Sequence, residues 1–374
     1  MTSFTLGLEE ELQVVDGSSF QLSSHDIARG KRLFPDSFGT TTEEAHQFVL
    51  ELQSSVCHSS DELIKSLTHL RGLAISRAYE QGQKVASVSL HPTANWQQQR
   101  INDNPNTHPH YAQLKFEYQD LLRSLVICGT HVHIGVANPT LRIPVLNGLR
   151  ELLPEILALS VSSPFYESRD TGLASWRHSI LDRMPRMGIC EAWPDEATYW
   201  GHVQQLRSMH CIPSDFNLWG DIRLHHKYPT IEVRVLDAMP RISRNWLVVS
   251  ILWLEAMRLA RETEAGKQVK PLCREFIDEN KWRARRFGLD ADLVDWRNVC
   301  EIPVSLALRN RIKSLQPLAT EFGIWARLEQ ALEAALIEGT SSAEQQSVYA
   351  KTHSFREVMA HLVAQTEHAV KRPS

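Results

Sequence analysis

The 374-residue chain lacks several patterns that would reveal its chemistry directly. It has no G-x-x-x-x-G-K-S/T motif and no kinase-type glycine-rich loop, so a bound nucleotide would have to be held by other means. The six cysteines are widely spaced and form no C-x-x-C pair, which argues against a zinc ribbon or a thioredoxin-like motif. No Ser-His-Asp or Cys-His arrangement offers a protein nucleophile.

Long apolar runs and an excess of one charge are also missing. The longest apolar run, 246–254, is interrupted by Ser250 and is too short to cross a bilayer, so it predicts a buried helix. A net charge of −4 and a pI of about 6.5 give no indication of a nucleic-acid or anionic-membrane partner. The N-terminus has no basic region followed by an apolar one, so we expect reduced cysteines and a cytoplasmic location.

What the sequence does contain is a strand with acids on one face. In residues 4–15, Glu9 and Glu11 alternate with Leu8 and Leu12, and side chains of a strand alternate between its two faces. Paired carboxylates on an apolar strand are costly unless a cation offsets their charge, and Mg²⁺ prefers carboxylate oxygens. Glu10 falls on the apolar face, and we interpret it as a strand-end exception without a role.

The same alternation recurs in four other segments, each with an apolar face opposite a face of acids, histidines or arginines. Their polar residues are Glu51; His131 and His133; Asp221, Arg223 and His225; and Glu232 and Arg234. Five such strands predict one sheet, with helices packed on the apolar face and a polar, ligand-holding concave face.

The order of elements favours an α+β fold with an antiparallel sheet over a doubly wound parallel sheet. Predicted strands are 4–15, 46–54, 84–91, 125–136, 218–226 and 229–237, and predicted helices are 24–33, 60–81, 110–123, 144–161 and 195–209. Helical periodicity then continues through 243–264, 271–286, 291–298, 318–338 and 342–368. Residues 162–190 form a long, functional loop in this interpretation. We expect a single catalytic domain, 1–374, with a sheet-forming core at 1–240 and a helical extension at 241–374.

The polar face has the chemistry of a hard-metal site. Four carboxylates and an imidazole suit two or more Mg²⁺ or Mn²⁺ ions, whereas zinc usually takes fewer acids and more histidine or cysteine. The candidate ligands are Glu9, Glu11, Glu51, Glu232 and His131. The alternative is a set of unrelated surface charges. His131 and His133 could also be core histidines or a zinc pair; we favour His131 as a ligand and His133 as a supporting residue.

Three arginines near this face suit phosphate, because a guanidinium can grip two oxygens at once. They are Arg169, Arg177 and Arg234, and apart from Asp170 beside Arg169 none has an acid at an obvious salt-bridge spacing. The alternative is that they are ordinary surface arginines.

Four segments together resemble the glutamate–cysteine ligase type 2 family, which includes the YbdK-type carboxylate-amine ligases. They are GLEEEL at 7–12, GTHVHIGV at 129–136, SPFYESRDTGLASWR at 163–177 and TIEVRVLD at 230–237. The resemblance covers roughly residues 4–370, with its strongest motifs before 240.

This resemblance implies a glutamine-synthetase-like fold, in which an antiparallel sheet forms a funnel that binds metal and ATP. It implies a ligation in which the γ-carboxylate of glutamate takes the γ-phosphoryl group of ATP and an amine, cysteine or another, displaces phosphate, releasing ADP and phosphate.

Residue by residue, the family's metal-binding acids match Glu9, Glu11, Glu51 and Glu232, and its strand histidine matches His131. Glu44 looks like a further acid, and Arg234 matches the arginine after the last acid. We therefore expect Mg²⁺ or Mn²⁺ as cofactor and ATP as co-substrate, with Arg234, Arg169 and Arg177 in catalysis and Arg234 and Arg177 on the nucleotide.

Two other functions stay open at this point. One is a phosphotransferase or ligase of the same fold with a different amine or guanidine acceptor, and the other is a catalytically silent binding or regulatory protein. We expect small-molecule substrates, no nucleic acid, no membrane and a homodimer.

Overall fold

The computed structural model describes residues 4–24, 33–212, 218–267 and 270–370. Its centre is an eight-stranded sheet with the order β2-β3-β4-β1-β6-β10-β9, in which β5 also pairs with β1. Each pairing between these strands is antiparallel, so the predicted α+β, antiparallel architecture is confirmed. The strands are β1 Phe4–Asp16, β2 Leu33–Asp36, β3 Gly39–Glu43, β4 Val49–Ser54, β5 Gln83–Ala86, β6 Gly129–Val136, β9 Ile222–Leu224 and β10 Thr230–Asp237.

Two small hairpins lie outside this sheet. One pairs β7 Phe165–Tyr166 with β8 Arg169–Asp170, and the other pairs β11 Asp292–Asp295 with β12 Cys300–Pro303. The helices are α1 Ser60–Glu80, α2 Pro109–Tyr118, α3 Asp120–Arg123, α4 Pro139–Ser160, α5 Arg177–Leu181, α6 Glu196–Ser208, α7 Ile242–Glu264, α8 Arg274–Phe287, α9 Val304–Glu321, α10 Trp325–Glu338, α11 Ser341–Thr352 and α12 Phe355–Glu367. None of the helices in the described ranges combines the length and apolar content needed to cross a bilayer.

Long helices pack on the apolar face of the sheet around the central strands. Leu6 and Leu8 of β1 are buried in one cluster with Leu63 and Leu67 of α1, and α4 and α7 pack in the same core. The predicted apolar run 246–254 lies in the buried middle of α7. The polar side chains of the alternating strands lie on the opposite face, away from this core.

Several predicted elements differ from the observed ones for local reasons. The helix predicted at 110–123 is two helices, because Gln119 adopts a φ of 48° between them, and Gly323 with a φ of 70° ends α9 before α10 begins. The segment 291–298, predicted as a helix, contains strand β11, because Leu293 and Val294 pair with β12 across a hairpin.

Other observed boundaries also differ from the predicted ones. The strand predicted at 84–91 ends at Ala86, and the helix predicted at 144–161 begins five residues earlier, at Pro139, with Asn138 as its N-cap. The helix predicted at 24–33 falls mainly on 25–32, outside the described residues, while Leu33 begins β2. The division into 1–240 and 241–374 stays a prediction.

Glu10 is a correction to the sequence interpretation, because it is not a strand-end exception. It lies in the middle of β1, fully buried, and Arg71 of α1 donates from Nε to its Oε2 at 2.7 Å. Ser87 Oγ donates to Glu10 Oε1 at 2.9 Å, and Arg71 also donates to the carbonyl oxygens of Met239 and Pro240. These contacts supply hydrogen-bond partners to both charged groups. The ion pair therefore joins β1 to α1, to the chain after β5 and to the chain that follows β10.

We predict that Arg71→Ala lowers the free energy of unfolding by about 3–5 kcal/mol, because it leaves the Glu10 carboxylate buried without its cation. Urea unfolding followed by circular dichroism measures the loss. Arg77→Ala is the matched control, since Arg77 lies on the same helix and pairs with Glu80 at the surface, where removing an ion pair costs about 0–1 kcal/mol. Equal losses in the two variants would contradict the role assigned to the buried pair.

Candidate functional site

Strand register brings the predicted polar residues onto one face of the sheet. Glu11 of β1 lies opposite Glu51 of β4, and Glu9 lies opposite His131 of β6. Glu232 of β10 lies opposite His133 on one side and opposite Arg223 of β9 on the other. Directly opposed residues in an antiparallel pair share a face, so these side chains converge over the middle of the sheet.

They line a pocket of about 400 Å³. Its floor is the polar face of the sheet, and Glu44, which follows β3, joins the acids there. The opposite wall comes from α2, α3 and the residues around α5, and it is largely apolar. Residues of that wall include His110, Tyr111, Leu114, Leu122, Leu181, Met184 and Met187, and Trp219, which precedes β9, also lines the pocket.

Three groups of possible metal ligands lie on this floor. In each group the ligand atoms are all within 4.8 Å of one another. The groups are Glu9, Glu51 and His131; Glu9, His133 and Glu232; and Glu11, Glu44 and Glu51. Because Glu9 and Glu51 each belong to two groups, the three groups form one continuous cluster rather than separate sites.

The carboxyls of Glu11, Glu44 and Glu51 have raised pKa values. Burial raises the pKa of all three carboxyls, and the neighbouring acids raise those of Glu44 and Glu51 further, so the pKa of Glu44 is about 7. Thr42 Oγ1 and Gln53 Nε2 donate to Glu51 Oε1 at 3.0 and 2.7 Å, and Gly129 N donates to Glu11 Oε2 at 2.6 Å. These donors are neutral; of the three carboxyls, Glu11 also has cationic neighbours, because Arg177 and Arg234 act against the effect of burial on its pKa.

The two histidines differ in their protonation. Burial and the nearby Arg234 lower the pKa of His131 to about 4, so its imidazole is neutral, as a metal ligand must be. Its Nε2 atom is buried and has no hydrogen-bond partner among the described residues. Burial disfavours charged His133 too, but Glu9 and Glu232 outweigh this and raise its pKa.

These observations fit a hard divalent cation. Carboxylate oxygens dominate the donor set, the buried Nε2 atom of the neutral His131 ring lacks a partner, and the Glu44 and Glu51 carboxyls form no ion pair with a basic side chain in the described ranges. Mg²⁺ and Mn²⁺ are the cations whose preferences match such a set.

Two of the three predicted arginines lie at this site. Arg234 and Arg223 both hold the Glu232 carboxylate, Arg223 Nε at 2.8 Å from Oε2, and despite burial they keep the pKa of Glu232 well below its usual value. Arg177 lines the pocket beside Glu11, whereas Arg169 lies exposed in β8 and is not among the described residues that line the pocket. Arg234 therefore has an acid partner after all, two residues away.

Sequence reasoning placed Arg223 on the polar face without a role and favoured His133 as a supporting residue, but it did not identify Tyr111. Arg223 and His133 lie on the correct faces of their strands, so the alternation itself was the available signal. Tyr111 of α2 donates to Glu44 Oε2 at 3.2 Å, and this contact joins residues 67 positions apart with no local pattern to indicate it.

Comparison with known proteins identifies the class to which this sheet and pocket belong. The model of the glutamate–cysteine ligase family 2 matches residues 5–363. The chain belongs to that family, and the resemblance noted in its four motifs is confirmed. Relatives named "Putative glutamate--cysteine ligase 2" occur in Sorangium cellulosum and Rhodospirillum rubrum; each is 32% identical, covering 97% of this chain and 96% of the relative.

Solved structures with the same fold include a glutamate–cysteine ligase from Francisella tularensis in complex with AMP. It has a TM-score of 0.74 at 14% identity and covers 100% of this chain and 91% of its own. A bifunctional glutathione synthetase from Pasteurella multocida has a TM-score of 0.72 at 13% identity and covers 97% of this chain and 52% of its own. The glutamine-synthetase-like fold class expected from the sequence is thereby confirmed.

We predict that Mn²⁺ binds at least about tenfold more tightly at pH 8 than at pH 6. A carboxyl with the pKa of Glu44, about 7, must lose its proton to bind a cation, and its ionised fraction rises about tenfold over that interval. Isothermal titration calorimetry at the two pH values measures the change. Glu44→Gln should bind more weakly and with less dependence on pH, because it also removes a charge that raises the pKa of Glu51. An affinity that is equal at both pH values in the unmodified protein would contradict a cation site at these acids.

Proposed function

We propose that the protein is an ATP-dependent carboxylate-amine ligase. It activates the γ-carboxylate of glutamate as an acyl phosphate and joins it to an amine, cysteine or another, with release of ADP and phosphate. The observation that carries the proposal is the meeting of three carboxylate-rich ligand groups and three arginines, Arg177, Arg223 and Arg234, in one pocket. Membership of the glutamate–cysteine ligase family 2 supports the same chemistry.

The acids and histidines of the pocket floor would hold divalent cations. The groups with the required donors are Glu9, Glu51 and His131; Glu9, His133 and Glu232; and Glu11, Glu44 and Glu51. When bound, Mg²⁺ or Mn²⁺ neutralises negative charge on the phosphate oxygens during phosphoryl transfer. Without cations, the repulsion that raises the pKa values of Glu44 and Glu51 would also repel a nucleotide.

Arg177 and Arg234 are the residues we assign to the phosphate groups. Arg234 shares the Glu232 carboxylate with Arg223, which fixes its side chain on the concave face. Arg177 donates only long hydrogen bonds, 3.4 and 3.5 Å, to the carbonyl oxygen of Arg234, and its Nε has no partner in the described part of the chain. A guanidinium with unused donors in a pocket suits the oxygens of a transferring phosphoryl group.

The route needs no protein nucleophile. An oxygen of the γ-carboxylate attacks the γ-phosphorus and ADP leaves; the amine nitrogen then attacks the acyl carbon, loses a proton, and phosphate leaves with that carboxylate oxygen. Cys128, the cysteine next to Gly129, is buried with a pKa well above its usual value, so it is not a reactive thiolate. The homodimer and the cytoplasmic location stay predictions of the sequence.

We predict that Glu51→Gln lowers phosphate release by at least about a hundredfold, or about 2.7 kcal/mol of transition-state stabilisation, because Glu51 belongs to two ligand groups. The assay supplies MgATP and glutamate with a panel of amines, cysteine included. Glu155→Gln is the matched control: Glu155 is also a buried glutamate, but it pairs with Arg311 in the helical layer, and activity per folded molecule should stay within about twofold. Full activity in Glu51→Gln at low Mg²⁺ would refute the metal role.

The order of bond formation has its own test. We predict that glutamate labelled with ¹⁸O in its γ-carboxylate transfers one ¹⁸O to the released phosphate, because that oxygen bridges carbon and phosphorus in the acyl phosphate. Mass spectrometry of the phosphate measures the transfer, and alanine variants of the six cysteines, made singly, should leave it unchanged. Phosphate without ¹⁸O would exclude the acyl-phosphate route.

A further inference from the structure

The carboxylate of Asp237 is buried and accepts three hydrogen bonds from one segment. Ser162 N and Ser163 Oγ donate to its Oδ2 at 2.8 and 2.9 Å, and Ser175 Oγ donates to its Oδ1 at 3.0 Å. Asp237 is itself 0% exposed. The donors come from both ends of residues 162–175, so a single carboxylate closes this segment into a loop against the last residue of β10.

A shift in strand register is what turns Asp237 toward this segment. Along β10, Glu232 and Arg234 share the concave face, so regular alternation would place Leu236 with them. The pairing with β6 slips between Val233 and Leu236, and after the slip Leu236 lies opposite Thr130 and Asp237 opposite Gly129. Gly129 shares the face of His131, so the irregularity delivers an acid to the concave face and returns Leu236 to the core.

The same segment ends in Arg177. Ser163 Oγ, which donates to Asp237, accepts the backbone N–H of Arg177 at 3.2 Å, and Trp176 N donates to Ser163 O at 2.8 Å. The guanidinium then lies over Gly129, where an added Cβ atom would be 2.3 Å from Arg177 Nη2. Gly129 and Asp237, which lie opposite each other in β6 and β10, therefore both affect Arg177. Gly129 has no side chain to clash with the guanidinium, and Asp237 holds the backbone that leads to it.

Arg177 needs this support because its own side chain is weakly held. Its hydrogen bonds to Arg234 O are long, and although Asp237 and Glu11 attract it electrostatically, no carboxylate oxygen in the described ranges lies within ion-pair distance of it. The next residue, His178, donates from Nε2 to Val235 O at 2.8 Å, which fixes the start of α5 on β10. The direction of the guanidinium is thus set by its backbone, and the backbone is set by Asp237.

We propose that Asp237 is a positioning residue: it clamps residues 162–175 onto β10 and so holds the Arg177 guanidinium toward the nucleotide phosphates. This inference rests on the proposed function for its kinetic consequence, but the clamp itself can be measured without turnover.

The kinetic test is a double-mutant cycle with Asp237→Asn and Arg177→Ala, assayed by phosphate release with MgATP, glutamate and the amine. Asp237→Asn alone should lower kcat/KM for MgATP at least tenfold while KM for glutamate changes less than twofold. In the Arg177→Ala background the same change should cost less than threefold, because residues that act as one unit are not additive. The proposal would be overturned if Asp237→Asn lowered kcat/KM by the same factor with Arg177 present and with Arg177→Ala. It would also be overturned if Asp237→Asn left KM for MgATP unchanged and lowered kcat only in proportion to the fraction of folded protein.

Ser175→Ala keeps the test valid if Asp237→Asn does not fold, since it removes one donor and leaves the carboxylate in place. Ser175→Ala should also lower kcat/KM for MgATP while leaving KM for glutamate nearly unchanged, but by a smaller factor than Asp237→Asn. Glu155→Gln should leave both KM values unchanged.

Hydrogen exchange without ligands provides the second measurement: amides of residues 162–177 should exchange faster in Ser175→Ala than in Glu155→Gln. An exchange rate that is unchanged in Ser175→Ala would refute the clamp. Faster exchange in Ser175→Ala, together with no phosphate release by the unmodified protein, would refute the proposed function and leave the clamp standing.

Discussion

The buried pair of Glu10 and Arg71 is the interaction on which the arrangement of the site depends. Strand β1 carries three consecutive acids, so at least one of them must face the core. Arg71 from α1, together with Ser87, satisfies that acid completely. With Glu10 fixed on the helical side, Glu9 and Glu11 are directed to the open side, since a one-residue slip would exchange the two faces and bury two charges without partners.

The same chain shows two ways of treating a buried acid. Glu10 and Glu232 have arginines built into the fold, and the pKa of Glu232 is held well below its usual value. Glu44 and Glu51 have neutral donors and neighbouring acids, and their pKa values are raised. This difference supports the proposal that the acids without an arginine partner bind cations from solution. This contrast within one molecule is a stronger argument for metal than the number of acids alone.

Sequence periodicity could predict the acids and histidines because a strand alternates faces whatever its partners are. It could not identify the partner of Glu10, since Arg71 is 61 residues away and a period shows a face but not what covers it. Arginines in irregular segments were less predictable still: Arg177 reaches the pocket through loop geometry, while Arg169 in the same motif is exposed. The slip in β10 was also hidden, because Val233, Val235 and Leu236 read as apolar in either register.

The acids were easier to predict than the arginines because the two kinds of residue are fixed in the structure in different ways. The carboxylates stand on paired strands, where the ladder fixes both position and direction, as a metal site with close ligand distances requires. The arginine of the long loop cannot be fixed by a ladder, so its backbone is joined to the sheet by Asp237 at the point where the ladder is irregular. A regular β10 would have matched the alternation of its neighbours but would have turned Asp237 away from the loop. The irregularity therefore adds to the pocket a positive group, Arg177, that strand alternation alone would not hold in place.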